Sequence, residues 1–299
     1  MVGKRAAAAA AKRPANLRTF VISGAWLAAA FAGGAASAQA DGTLDRIKES
    51  AEIRLAYRPD AAPFSYEQDG KPAGYSVNLC LEVAGALQAD LDLPTLTASF
   101  VPVTADNRFD AITEGAADLL CEATSATLSR REKMDFSIYT FVSGASLVIR
   151  PDGPTSVDAL AGHKIGVLGG TTTKVALEDT LRGGAISADV VVVQTHDEGF
   201  EKLQKREILA YFGDRTILED RLRRLPDRGA LLLAENYLTI EPYALAMPID
   251  HEFRLAVDRA LSHLFRTGGL IKVFRKSFDP EAKPSDLIKM LSRVSGLPD

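Results

Sequence analysis

"KIGVLGGTTTKVALEDTLR", residues 164 to 182, reads as three pieces joined without a spacer. KIGVLG is a short β-rich run, GGTTT is a turn of glycines and hydroxyls, and TKVALEDTLR carries apolar residues at three- and four-residue spacing. A strand, a tight turn and a helix in that order make half of a β-α-β unit, which sets the fold class as α/β. The alternation continues outward on both sides. "EIRLAY" (52–57), "TASFVPV" (97–103), "ASLVIR" (145–150), "DVVVVQ" (189–194) and "ILAYFG" (208–213) read as further strands. "VNLCLEVAGALQAD" (77–90), "DEGFEKLQK" (197–205) and "DHEFRLAVDRALSHLFRTG" (250–268) read as helices. The glycine turn lacks a Gly-Lys-Ser/Thr ending, so it is not a nucleotide phosphate loop.

Two segments interrupt the pattern. "YTFVSG" (139–144) and "IEPYA" (240–244) have strand-like residues between turn formers, and they bracket a block of about one hundred residues. If both are crossovers, a second lobe, 143–240, is inserted into a first lobe made of 41–142 and 241–299.

The N-terminus has its own composition. Lys4, Arg5, Lys12, Arg13 and Arg18 precede an apolar stretch from Thr19 to Ala32, and "ASAQA" follows. That is the layout of a cleavable signal peptide, residues 1–40, and the run is too short for an ordinary membrane-spanning helix. The 259 residues from Asp41 onward hold 30 basic and 39 acidic side chains, a formal charge of −9. Such a chain is not built for nucleic acid or anionic lipid. Export to an oxidising compartment favours a Cys80–Cys121 disulfide over two buried thiols. Neither cysteine has a further cysteine or a histidine at ligand spacing, so no metal site is expected, and no cofactor motif is present.

From Thr43 on, the chain resembles the periplasmic solute-binding proteins for polar amino acids that serve ATP-binding-cassette (ABC) importers. The resemblance is carried by "APFSYEQDGKPAGYSVNLCLEVA" (62–84), "DLLCEATSATLSRREKMDFS" (118–137), "KIGVLGGTTTKVALEDTL" (164–181), "LAYFGDRTIL" (209–218) and "EPYALAMP" (241–248), in family order. It is nearest the glutamate/aspartate-binding branch. It implies a type II two-lobed fold with the ligand in the interlobe cleft, a monomer in the periplasm, and membrane permease subunits as partners.

Residue by residue, the resemblance gives Arg130 the ligand's α-carboxylate, with Ser125 and the backbone at Ala123 as further donors. A guanidinium suits that task because its rigid fork matches a carboxylate and keeps its charge in a poorly hydrated cleft. Arg58, Arg108 and His196 would surround a side-chain carboxylate. Asp214 would take the α-ammonium while capping the helix that follows it. Gly170, Thr171 and Thr172 would offer N–H and O–H groups from the second lobe. Three convergent arginines argue for an anionic ligand, since their mutual repulsion needs relief. Three positions depart from the pattern: Ala105 replaces a serine of the branch, Asn78 stands where the family usually has an aspartate, and Glu122 stands where a glycine is common. Glu122 would oppose an acidic ligand or pair with an arginine if it points inward.

Other functions remain open on the same residues. A secreted dehydratase or lyase could use the arginine cradle with Glu122 or Asp60 as an added acid, although no Ser/His/Asp or Cys/His arrangement is visible. A sensor that presents a ligand-dependent surface would differ only in its membrane partner.

Overall fold

The computed structural model describes residues 42–298 apart from 155 and 236. The proposed signal peptide and its cleavage point lie outside the described residues. Two five-stranded sheets organise the rest. In the first, Glu52–Tyr57 runs parallel to Thr97–Pro102 on one side and to Leu119–Leu120 on the other, and Ala246–Met247 then pairs antiparallel with Leu119–Leu120 and Asp135–Phe136. In the second, Lys164–Leu168 lies parallel to Asp189–Val193 and Ala210–Asp214, and Ala145–Ile149 pairs antiparallel with Ala210–Asp214 and Leu232–Leu233. Each sheet thus has three parallel strands followed by one reversed strand and a short edge.

The reversed strands come from the crossovers. Phe141–Ser143 and Glu241–Tyr243 form a separate two-stranded antiparallel ladder, with Ser143 opposite Glu241 and Phe141 opposite Tyr243. The first continues through Gly144 into Ala145–Ile149, and the second through Ala244 and Leu245 into Ala246–Met247. Gly144 is required there, because a Cβ would stand 1.9 Å from the Thr239 carbonyl oxygen.

Each sheet is covered by helices whose apolar stripes feed the cores. The helix Tyr75–Asp90 buries Tyr75, Val77, Leu79, Cys80, Val83 and Leu87. Packed with it, His251–Arg266 buries Phe253, Val257, Leu261 and Phe265. Burying a side chain of that size contributes about 1.5–3 kcal/mol. Cys80 is bonded to Cys121, Cα atoms 6.1 Å apart, as the oxidising compartment implied. Phe64 is fully buried among Tyr75, Phe141, Tyr243 and Phe278, so it packs the core beneath the ladder and does not face a ligand.

The expected strands and helices agree with these elements to within one or two residues. "ILAYFG" is the most displaced: the strand is Ala210–Asp214, which places Asp214 at once as strand end and helix cap. Thr171, Thr195, Asp214 and Asp250 each accept the third N–H of the helix they precede, satisfying donors that helical turns leave unpaired.

Candidate functional site

Parallel strands aim their C-terminal ends in one direction, and loops leaving those ends are where α/β proteins place ligands. Arg58 follows Tyr57, Glu122 and Ala123 follow the Leu119–Leu120 strand and Cys121, Gly170 follows the Lys164–Leu168 strand, and His196 follows the Asp189–Val193 strand. These ends face one another across a small cavity of about 40 Å³.

The cavity collects most of the residues the sequence proposed. From the first lobe come Arg58, Arg108, Ala123, Ser125 and Arg130; from the second, Thr171, Thr172, His196 and Asp214. Gly170 is not in the lining. Its φ of 65° is open to glycine, and a Cβ would meet the Ala105 carbonyl oxygen at 2.8 Å. Its own carbonyl accepts from Arg108 Nη2 at 2.8 Å. Gly170 therefore joins the two lobes at their edge through its carbonyl.

Arg130 stands at one end. Its Nη1 donates to the Ser125 carbonyl at 2.8 Å, and its guanidinium lies 4.6 Å from the centre of the Phe109 ring. Burial lowers its pKa, against the pull of Glu122, Glu241 and the Tyr243 hydroxyl. Near it are two acids. Asp214 caps Ile217 N at 3.0 Å and accepts the Tyr243 hydroxyl, so the capping role and the cavity position hold together. Burial pushes the Asp214 carboxyl up to about 6, with Glu241 adding to the rise and the hydrogen bonds from Ser143, Tyr243 and Ile217 opposing it. Glu241 accepts from Thr172 Oγ1 at 2.6 Å and from Ser125 Oγ. A cation placed between these acids would relieve both.

Glu241 and Tyr243 escaped the sequence reading. Read from sequence, the segment "IEPYA" has a crossover and part of the family resemblance but no site role, and the ladder carries both side chains into the cavity wall. An acid beside a crossover was the available signal.

At the other end the charges are already matched. Arg58 donates through Nε and Nη2 to Asp60 Oδ1 at 3.0 and 2.7 Å. Arg108 Nε lies 2.9 Å from Glu122 Oε1, and Arg58 Nη1 lies 3.7 Å from Glu122 Oε2. Glu122 points inward, with 2% of its surface exposed, and also accepts from the Thr124 hydroxyl. The expectation that arginine repulsion awaits a ligand is thus corrected: protein carboxylates relieve it. Burial, followed by the neighbouring Arg58 and Arg130 charges, still lowers Arg108 to about 10, with Glu122 opposing. Among the described residues, Arg108 Nη1 meets no hydrogen-bond acceptor and Glu122 Oε2 no donor.

His196 is placed as expected but not charged as a carboxylate partner would be. It is buried with Nδ1 2.9 Å from the Tyr211 hydroxyl, and burial, aided by Arg58 and Arg221, holds its pKa well below the ordinary imidazole value. It can offer a ligand a neutral ring edge only.

A cleft between two such lobes defines an α/β binding protein of the type II two-lobed kind. Residues 53–280 match the family described as bacterial extracellular solute-binding proteins, family 3, and the chain belongs to that family. The L-glutamate/L-aspartate-binding protein of Pseudomonas aeruginosa is 27% identical over 250 residues, covering 82% of this chain and 83% of the relative. The glutamate/aspartate import solute-binding protein of Escherichia coli is 26% identical over 257 residues, covering 84% of this chain and 84% of the relative. A solved amino acid ABC transporter substrate-binding protein of Streptococcus pneumoniae, bound to L-arginine, superposes with a TM-score of 0.67 at 24% identity, over 85% of this chain and 99% of the other. An ancestral amino acid-binding protein, a precursor of cyclohexadienyl dehydratase, superposes with a TM-score of 0.69 at 23% identity, over 80% of this chain and 100% of the other. The structural likenesses show the fold.

Proposed function

We propose that the protein captures an L-α-amino acid, with glutamate and aspartate foremost, in the periplasm and delivers it to the permease subunits of an ABC importer. The observation that carries the reading is the meeting, in one cavity, of Arg130, which among the described residues forms no ion pair with a carboxylate, and a pair of buried acids. Arg130 binds the α-carboxylate, and Asp214 with Glu241 binds the α-ammonium. Thr171, Thr172 and Ser125 add hydroxyl groups around the two. Arg58, Arg108 and His196 surround the side chain. The names of the relatives from Pseudomonas aeruginosa and Escherichia coli support the acidic preference and the importer.

The ligand works as the bridge between lobes 41–142 plus 241–299 and 143–240, hinged on the ladder Phe141–Ser143 with Glu241–Tyr243. The lobe 41–142 plus 241–299 brings Arg130 and Glu241, and 143–240 brings Asp214, so the full set around the amino acid needs both. Hinge closure then creates a ligand-dependent surface for the permease. Binding rather than turnover is the role of the site: of the candidate acids of an enzyme reading, Glu122 is tied to Arg108 and Thr124, and Asp60 to Arg58.

The test is a thermal-shift and calorimetric screen of refolded, ligand-free protein against L-amino acids. A ligand at a hundred times its Kd stabilises by about 2.7 kcal/mol. Stabilisation by glutamate and aspartate supports the reading, and failure of every L-amino acid to bind ends it. Small-angle scattering checks the hinge: tight binding with no change in radius of gyration would contradict closure.

A further inference from the structure

Glu122 stands against both Arg108 and Arg58, whereas Asp60 bonds Arg58, and nothing in the proposed function uses Glu122. It reaches Arg108 at 2.9 Å and Arg58 at 3.7 Å, is buried, and is fixed from behind by a Ser76 hydroxyl on its own carbonyl at 3.0 Å and by the Cys80–Cys121 bond one residue earlier. The polar atoms around it remain incompletely used: Arg108 Nη1 has no acceptor and Glu122 Oε2 no donor among the described residues. Arg58 and Arg108 line the cavity and Glu122 does not, so it stands behind the two guanidiniums and neutralises them from there. A neutral carboxamide oxygen can accept from a guanidinium balanced in this way without bringing a further negative charge, which a carboxylate would.

We infer that Glu122 is a specificity-determining residue: it supplies from the protein the carboxylate that Arg58 and Arg108 would otherwise take from the ligand, and so brings amide-bearing amino acids into competition with acidic ones. The inference rests on the amino-acid reading above and refines its side-chain end. An acidic ligand sets a second carboxylate beside Glu122 in a buried site. Like charges sharing such a site favour uptake of one proton between them. The charged and titratable groups facing that pair are Arg58, Arg108 and Arg130, with Asp60, Asp106 and the neutral His196 behind them. Asp214, at the opposite end, meets the same ammonium in glutamate and glutamine, so its titration cancels when the two ligands are compared.

The experiment is calorimetric titration of wild type and Glu122→Gln, full mature chain, with L-glutamate and L-glutamine. The expected result is a shift of the glutamate-to-glutamine affinity ratio by at least tenfold towards glutamate in the variant. An unchanged ratio, or a shift towards glutamine, overturns the inference while leaving the amino-acid reading intact. No binding of either ligand to wild type ends both. Should the variant not fold, wild type titrated in buffers of different ionisation enthalpy decides. Proton uptake greater with glutamate than with glutamine supports the role, and equal uptake overturns it.

Discussion

Arg130 and Arg108 share the Phe109 ring, yet among the described residues the Arg130 guanidinium hydrogen-bonds to the Ser125 carbonyl alone, whereas Arg108 and its neighbour Arg58 lie against Glu122 and Asp60. Both ends of the cavity carry arginine, with Arg58 and Arg108 buried and Arg130 half-buried. The difference is where the counter-charge comes from. At the Arg130 end, charges of opposite sign stand side by side without a direct ion pair, an arrangement suited to a zwitterion that completes both. At the Arg58–Arg108 end the protein has completed its own pairs, so a ligand group there exchanges one set of polar contacts for another. Truncating a partner that binds a buried charge costs more than removing one member of a pair that can re-form with a protein neighbour. The zwitterion end should therefore dominate affinity, and the side-chain end should set preference.

The largest expected effect follows from that contrast. Arg130→Ala should weaken glutamate, aspartate and glutamine alike, on the order of thirtyfold to several thousandfold, from the ~2–5 kcal/mol typical of a truncated buried charge contact. Calorimetry checks it, and a loss confined to acidic ligands would exchange the roles of the two ends. Next is the bridge that anchors the Glu122 strand. Replacing both Cys80 and Cys121 by serine should lower unfolding free energy by on the order of 3 to 4 kcal/mol, given the loop of 41 residues that it closes. Chemical denaturation reads this directly, and an unchanged midpoint would show that the strand end is held without it.

A third test uses pH. Asp214 titrates near 6 in the ligand-free cavity because burial disfavours its anion, and the ligand's ammonium requires that anion. Affinity should be full above about pH 6 and fall by about tenfold per unit below it, one pKa unit being 1.36 kcal/mol. Asp214→Asn should bind weakly and lose this slope. A slope that persists in the variant would assign the titration to another group. The smallest effect is expected of Arg58→Ala. With its guanidinium already bonded to Asp60, its loss should cost glutamate about tenfold and glutamine less. Equal losses would remove Arg58 from the side-chain end.

How much of this was legible in the sequence depended on range. The parallel strands were readable because runs such as DVVVVQ and KIGVLG are apolar on both faces, and their helices because three- and four-residue spacing is a local signal. Arg130, Thr171 and Asp214 were named through the resemblance to the family, and the structure puts all three in the cavity lining. Glu122 was seen but not aimed. It lies two residues past a two-residue strand, too short for side-chain alternation to fix a direction, and only the arginines folded around it decide the matter. Glu241 was missed because its partner Ser125 is 116 positions away and only the ladder brings them together. The charge state of His196 was beyond reach for a similar reason, since it follows from burial against Tyr211 and two arginines.

The contrast between the two ends can be put to one direct measurement with a pair of isomers. L-glutamine keeps the α-carboxylate and amidates the side chain; L-isoglutamine amidates the α-carboxylate and keeps the side-chain one. Both have the same composition and the same net charge, so titrating wild-type protein with each isolates the position of the carboxylate. The structure predicts that glutamine binds and that isoglutamine binds at least a hundredfold more weakly, because only glutamine presents a carboxylate to Arg130 beside an ammonium for Asp214 and Glu241. Isoglutamine binding as tightly as glutamine, or more tightly, would contradict the assignment of Arg130 and with it the account of the cavity.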